Sequence, residues 1–301
     1  MIDLELFFRQ NLMKADFGVD RAQAKLEAIR VGGYGISTGI EALDPYFMLF
    51  KSEMTTIAAR PGTGKTAIAM QITHAVITQL EKYGKPGLAC VFSAEMDTET
   101  LLLREACALE KIPLWRVLNN DFSGEEFDRI HEALEKLRNE RLYIDESPAP
   151  TIEHMVEQLA VLKEEFGVIA LVVFDYAELS GEFDRVQSER IAKISRGLKA
   201  IAKRFETPVL VLSQMNREIE TRSDRQPNLR DLMHGGEREP DRVIFMIRPW
   251  TSDKSEPKEL VYAHVVKNRN GPLGQAALFF DQEIMHFSSA EIIQMPIEDD
   301  E

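Results

Sequence analysis

The stretch Ala59-Arg60-Pro61-Gly62-Thr63-Gly64-Lys65-Thr66 decides how the rest of the chain is read. Before it runs Met54-Thr55-Thr56-Ile57-Ala58, with the length and β-branched content of a strand. After it, Ala67-Ile68-Ala69-Met70 continues through Ile72, Ala75, Val76 and Leu80 at helical spacing. A strand, a glycine-rich turn and a helix opening on Gly-Lys-Thr form the setting of a phosphate-binding loop. Glycines let backbone N–H groups turn inward around a polyphosphate, and the helix N-terminus adds its positive dipole end. Arg60, Pro61, Gly62, Thr63 and Gly64 would form the cradle. Lys65 would reach the β- and γ-phosphates, and the Thr66 hydroxyl would ligate Mg²⁺. The strict pattern has glycine at its first position, where this chain has Ala59. Alanine fits there only at negative φ, so the loop must bend elsewhere.

A length of 301 residues suits one large α/β domain with an extension, or two small domains. A formal net charge of −14 argues against a protein that coats nucleic acid over its whole surface, while leaving room for a local basic channel. Cys90 and Cys107 sit in mostly apolar sequence without metal-ligand spacing, which reads as buried thiols in a reducing compartment. With no apolar run near ~18 residues and no signal peptide, the expectation is a cytoplasmic protein that meets no membrane.

Residues 1–30 read as a helical extension. Leu4, Phe7, Phe8 and Leu12 share one face, Asp20 with Gln23 resembles a capping pair, and Ala22, Leu26 and Ile29 follow at helical spacing. Elements this short must dock on the main domain or on another subunit. Gly32-Gly33 and Gly35 mark a boundary, residues 31–290 form the main domain, and 291–301 form an acidic tail. Within the main domain strands are expected at Met54–Ala59, Leu88–Ser93, Arg141–Ile144, Ile169–Phe174, Val209–Ser213, Val243–Ile247, Val261–Val266 and Ala276–Phe280. Helices fill most gaps as far as Phe205. The result is an α/β fold with a mainly parallel central sheet and antiparallel strands at one edge. The helix over Glu189–Phe205 is expected to bury Ile191, Ile194, Leu198 and Ile201 and to turn Lys193, Lys199 and Lys203 outward.

Ligands in such folds collect at the carboxyl ends of parallel strands. The unbroken apolar run Ile169–Phe174 closes on Asp175-Tyr176, where an acid is placed to hold Mg²⁺ through water. Leu88–Ser93 runs into Glu95, either a carboxylate that deprotonates water for attack on a γ-phosphate or a surface residue opening the next helix. The strand is expected beside the loop because it follows the loop's helix. Gln214 is either a γ-phosphate sensor or a polar strand end. Lys267 and Arg269, two apart on a strand, project together. They face a polyanion or form a basic turn in water.

Together these motifs resemble the RecA-like motor domain of DnaB-type replicative helicases. The resemblance runs from Gly35-Ile36-Ser37-Thr38-Gly39 to about Phe287 and includes the alanine at position 59. It takes in Phe92-Ser93-Ala94-Glu95-Met96, Tyr143-Ile144-Asp145, Asp175-Tyr176, Ile194-Ser195-Arg196-Gly197-Leu198-Lys199, Leu212-Ser213-Gln214 and Lys267-Asn268-Arg269-Asn270-Gly271-Pro272. It implies an ATP- and Mg²⁺-dependent DNA helicase, a P-loop NTPase that moves on single-stranded DNA as a homohexameric ring. It further implies Glu95 as catalytic base, Gln214 as γ-phosphate sensor, Arg104 near the nucleotide, and Lys267 with Arg269 acting on a neighbouring subunit's ATP. The family's N-terminal domain is replaced by residues 1–30 alone, as in phage- or plasmid-type forms, which puts contacts to a primase or helicase loader in question. The family's DNA loop carries Arg-Glu-Ser-Gly where Met233-His234-Gly235-Gly236 stands here. Backbone N–H groups at Gly235 and Gly236, with Arg217, Arg222, Arg225 and Arg230 upstream, are the remaining candidates for DNA contact. A RecA-fold recombinase or filament ATPase and a helicase-like regulatory ring with weak DNA binding are the alternatives.

Overall fold

The computed structural model describes residues 15–30, 34–139, 141–175, 180–181, 187–217, 219, 222, 226–232 and 236–290. The face of Leu4, Phe7, Phe8 and Leu12, together with Tyr176, Arg225, Met233, His234, Gly235 and the acidic tail, lies outside them. The chain divides into two units, Met1–Ile36 and Ser37–Glu301. In the first, helix α1 spans Ala15–Arg30. Asp20 therefore lies inside a helix and caps nothing. Val19, Leu26 and Ile29 of α1 are at least half exposed.

The second unit is built on a nine-stranded sheet. Its strands are β1 (Met54–Ala59), β2 (Leu88–Ser93), β3 (Leu142–Asp145), β4 (Ile169–Asp175), β5 (Val209–Gln214), β6 (Arg242–Ile247), β7 (Leu260–Asn268), β8 (Gly274–Asp281) and β9 (His286–Ser289). They lie side by side in the order β3-β2-β4-β5-β1-β6-β7-β8-β9. The first six are parallel and the last three pair antiparallel, as the closely spaced later strands lead one to expect. β9 has no counterpart in the sequence reading, because four residues with one buried side chain carry almost no periodic signal. It and β3, also four residues long, form the two edges. The helices are α2 (Lys65–Lys82), α3 (Thr98–Leu109), α4 (Leu114–Leu118), α5 (Gly124–Asn139), α6 (Ile152–Phe166) and α7 (Gln187–Phe205).

Every residue of β1, β2 and β4 is buried, the pattern of strands covered on both faces. α6 and α7 pack on one core, where Ile194, Leu198 and Ile201 meet Phe92, Phe174 and Val211. Packing and not propensity holds α7. Gly197 in its interior costs about 1 kcal/mol relative to alanine, whereas each buried Ile or Leu contributes about 1.5–3 kcal/mol. Among the outward-facing lysines expected on this helix, Lys199 is different. It is largely buried, and its ammonium donates to Asp241 (2.5 Å) and to the Ser52 carbonyl (2.8 Å). The long stem lets a residue on the flank of the apolar stripe fold back to a buried carboxylate.

Strand order also departs from the expectation. β2 does not neighbour β1, although it follows α2 in sequence; β4 and β5 lie between them. The chain crosses over their places through α2, and they fill the gap later.

Gly197 is a packing requirement. A Cβ there would stand 2.7 Å from Ile152 Cδ1 at the start of α6. Gly197→Ala is therefore expected to destabilise the domain by about 1–3 kcal/mol despite alanine's better helix propensity. Denaturant midpoints should show the loss reduced when Ile152→Ala is added.

Candidate active site

β1 delivers the chain to the loop at the carboxyl end of the sheet. Ala59 is still in the strand, paired with Gln214 of β5 and Met246 of β6, and the positive φ angles fall on Gly62 (77°) and Gly64 (92°). Gly64 is also the N-cap of α2, and no acidic residue stands in that helix's first turn. The first N–H groups of α2 and its positive dipole end therefore face the loop. No side chain fits at Gly64. A Cβ would lie 2.7 Å from Phe280 Cζ, and Phe280 is stacked on Phe287 with centroids 4.2 Å apart. Gln71 of α2 clamps that pair, donating to the Phe287 carbonyl (2.8 Å) and accepting from its N–H (2.9 Å).

Asp175 is the acid of the site. It is buried at the end of β4, and its Oδ2 accepts from the Thr66 hydroxyl at 2.6 Å. Its Oδ1 is buried with no hydrogen-bond partner among the described residues. Burial pushes its carboxyl up to about 6; the Glu95 charge adds to this, while the Thr66 bond and the charges of Lys65 and Arg104 oppose it. An unpartnered carboxylate oxygen beside a hydroxyl suits a hard divalent cation such as Mg²⁺, which takes oxygen ligands.

Glu95 reaches Asp175's vicinity by a route other than strand adjacency to β1. β2 pairs β4 with Ser93 opposite Asp175, and the Ala94 N–H donates to the Asp175 carbonyl at 2.7 Å. Ser93 Oγ donates to the Met96 carbonyl, and Asp97 caps α3, on which Arg104 rides. Lys65, Thr66, Asp175, Glu95 and Arg104 thus converge, with Gln214 one strand away.

Lys267 and Arg269 do not join them. Lys267 stands one residue before the end of β7, opposite Val243, and the Arg269 N–H donates to the carbonyl of Asp241, whose own N–H donates to the Met54 carbonyl. Arg269 is therefore level with the start of β1, about 16 Å along the strand from Ala59. The two cations do project together. Lys267 donates to the Glu237 and Arg238 carbonyls, and Arg269 to the Arg238 carbonyl and to Asp241 (3.3 Å). Burial and the neighbouring Arg269 charge lower the Lys267 ammonium from its ordinary value.

Of the other arginines, Arg217 and Arg230 are exposed. Arg222 forks onto the buried Asp231 with bonds of 2.8 and 2.9 Å. Gly236 is buried near Ile191 of α7. Sequence reasoning missed Arg248 and Gln282. Gln282 Nε2 lies 3.5 Å from the Gly62 carbonyl and its Oε1 accepts from Arg248, and Arg248 shares a groove with Arg60, Thr63, Met215 and Met246. Their convergence depends on sheet order, and no local pattern announces it.

Fold and loop together define a RecA-like P-loop domain. The chain belongs to the family described as DnaB-like helicase C terminal domain, whose profile matches residues 35–289. It is 33% identical over 264 residues to the replicative DNA helicase DnaB of Geobacillus stearothermophilus, covering 85% of this chain and 57% of that one. Identity to the Pasteurella multocida (strain Pm70) replicative DNA helicase DnaB is 34% over 263 residues, covering 85% and 55%. The chain thus spans little more than half the length of these relatives. Among solved structures, one described as an ATPase domain superposes with a TM-score of 0.81 at 25% identity, covering 91% of this chain and 99% of that one. A DnaB-like replicative helicase, whose structure was described with its interactions with primase, gives 0.77 at 26%, covering 85% and 64%.

The Asp175 shift has a sign that can be measured. Its folded value, about 6, exceeds the ordinary 3.8, so its contribution to stability is complete below the lower figure and is lost as pH rises through the upper. The loss is on the order of 3 kcal/mol. Asp175→Asn should remove that dependence, so that the ligand-free variant melts above the wild type at about pH 8 and converges with it at about pH 4. Calorimetric melting across this range is the check.

Proposed function

We propose that this chain is the ATP-driven motor of a replicative DNA helicase, a cytoplasmic homohexameric ring that translocates on single-stranded DNA. One observation carries the reading. Lys65, Thr66, Asp175 and Glu95 gather at the carboxyl end of the parallel strands, while Lys267 and Arg269 stand at the amino end. A nucleotide held by one protomer is thus out of reach of that protomer's own Arg269 and open to a neighbour's.

In this reading the loop amides and Lys65 hold the polyphosphate, with Arg104 adding charge nearby. Thr66 and Asp175 hold Mg²⁺, which would neutralise charge on the phosphates. Glu95 takes a proton from the attacking water, and a neighbour's Arg269, with Lys267 beside it, offsets charge that builds on the γ-phosphate. Gln214 contacts the γ-phosphate from the strand next to Ala59 and relays its loss to the segment that follows. That segment meets DNA through Arg217, Arg225 and Arg230 and through N–H groups at Gly235 and Gly236. Arg222 is reserved for Asp231. The exposed apolar faces of α1 and of Trp115 and Leu118 in α4 suit burial against neighbouring copies. A primase or loader is a further partner, by analogy with the helicase described with primase.

The Arg222–Asp231 pair and the net charge of −14 favour one second reading, a helicase-like regulatory ring with weak DNA affinity. A salt titration of binding to a single-stranded oligonucleotide, with an ATP analogue present, separates the two. A DNA channel loses affinity with a log–log slope of about −0.7 per phosphate contacted, and absence of binding at low salt supports the regulatory ring.

The motor reading itself is tested by DNA-stimulated ATPase and strand displacement on a forked duplex. Lys65→Ala and Glu95→Gln should leave the fold and assembly intact and lower hydrolysis by roughly 10²-fold or more. Normal hydrolysis in either variant removes its residue from the site. Arg269→Ala mixed with wild type should poison activity beyond simple dilution, whereas a linear loss means that the arginine does not act across a subunit boundary.

A further inference from the structure

Asp241 ties together β1, α7 and the turn after β7 at the amino end of the sheet. Its backbone N–H donates to the Met54 carbonyl (2.8 Å), and its carbonyl accepts from the Arg269 N–H (2.9 Å). Its Oδ2 accepts from the Met54 N–H (2.8 Å) and from Lys199 (2.5 Å), which leaves Oδ1 for the Arg269 guanidinium at 3.3 Å. The Asp241 and Lys199 side chains are largely buried, while that of Arg269 is 50% exposed. Burial by itself would raise the Asp241 carboxyl; the Lys199 and Met54 bonds and the charges of Lys199 and Arg269 outweigh it and hold the group below the ordinary carboxylate range.

The two contacts are unequal. Lys199 makes the short one and absorbs much of the carboxylate's charge. Arg269 makes the long one, a half-exposed pair of the kind that binds weakly. Such a contact orients a guanidinium without sequestering it. The turn behind Arg269 is held separately: Asn270 donates to Glu53 (2.5 Å), and Asn268 donates to the Tyr46 and Pro272 carbonyls.

We infer that Asp241 is a positioning residue for phosphoryl transfer: it aims Arg269 outward at the sheet's amino edge for a neighbouring protomer's nucleotide, while Lys199 keeps the carboxylate from capturing the arginine. This rests on the proposal that Arg269 acts across a subunit boundary. Removing the Asp241 charge leaves the guanidinium held by the Arg238 carbonyl (3.2 Å) and widens the range it can sample, so the cost falls on turnover and not on the protomer's own grip on ATP.

The test is DNA-stimulated ATPase of the full chain with Mg·ATP and a single-stranded oligodeoxynucleotide, comparing Asp241→Asn, Asp241→Glu, Arg269→Ala and the Asp241→Asn/Arg269→Ala double variant. Asp241→Asn is expected to lower kcat about 10-fold or more with KM for ATP within about threefold. Asp241→Glu should recover a large part of kcat, and the double variant should be no slower than Arg269→Ala. A kcat for Asp241→Asn within twofold of wild type, or losses that multiply in the double variant, overturns the inference. If Arg269→Ala is itself silent, the trans-acting reading fails instead, and the two failures are told apart. Should Asp241→Asn not fold, Lys199→Met frees the carboxylate to capture Arg269. A lowered kcat with KM for ATP within about threefold supports the assignment there, and a kcat within twofold of wild type overturns it.

Discussion

The hydrogen bond from the Thr66 hydroxyl to Asp175 ties the phosphate loop to the rest of the sheet. It joins the first turn of α2 to the end of β4, two strands away from the strand that leads into the loop. Because the Asp175 carbonyl also receives the Ala94 N–H, the same residue anchors the turn that carries Glu95. Three separate crossovers are thereby brought to one corner. The arrangement leaves a carboxylate oxygen buried without a partner among the described residues, a state that costs stability in the free domain. Groups of this kind persist where a ligand restores what folding withheld.

Much of this corner was legible in the chain. The loop announces itself because its requirements are local: glycines where φ must be positive, a lysine and a threonine where a helix begins. Asp175 was legible by association: an acid that ends an apolar strand is often a turn or cap residue by itself, and a phosphate loop in the same chain is what points it to a metal. The parallel strands and the antiparallel edge followed from the same periodicities and from the short spacing of the later strands.

What escaped was non-local. β2 was expected beside β1 because it comes next, yet a crossover sets sheet order, and β4 and β5 claim the places between. Glu95 reaches the site all the same, through Ser93 opposite Asp175 and not by the adjacency assumed. Lys199 was misread because helical spacing gives the direction of a Cβ and not the destination of a long, flexible stem; its partner lies 42 residues on. Asp20 looked like a cap beside Gln23, but the pair sits inside α1. Arg248 and Gln282 are separated by 34 residues and meet only because β6, β7 and β8 pair as they do.

The two boundary strands of the sheet are its shortest. β3 and β9 have four residues each, the first preceded by Arg141 and ending in Asp145, the second opening on His286 and bonded through the Ser289 hydroxyl to the Ala42 N–H. A long, flat, apolar border would offer unpaired backbone groups to any passing chain. Here each border offers only a short run of them, beside charged or hydroxyl-bearing residues. Copies of such a chain can meet through side chains without their sheets fusing, and crowding need not lead to amyloid-like growth.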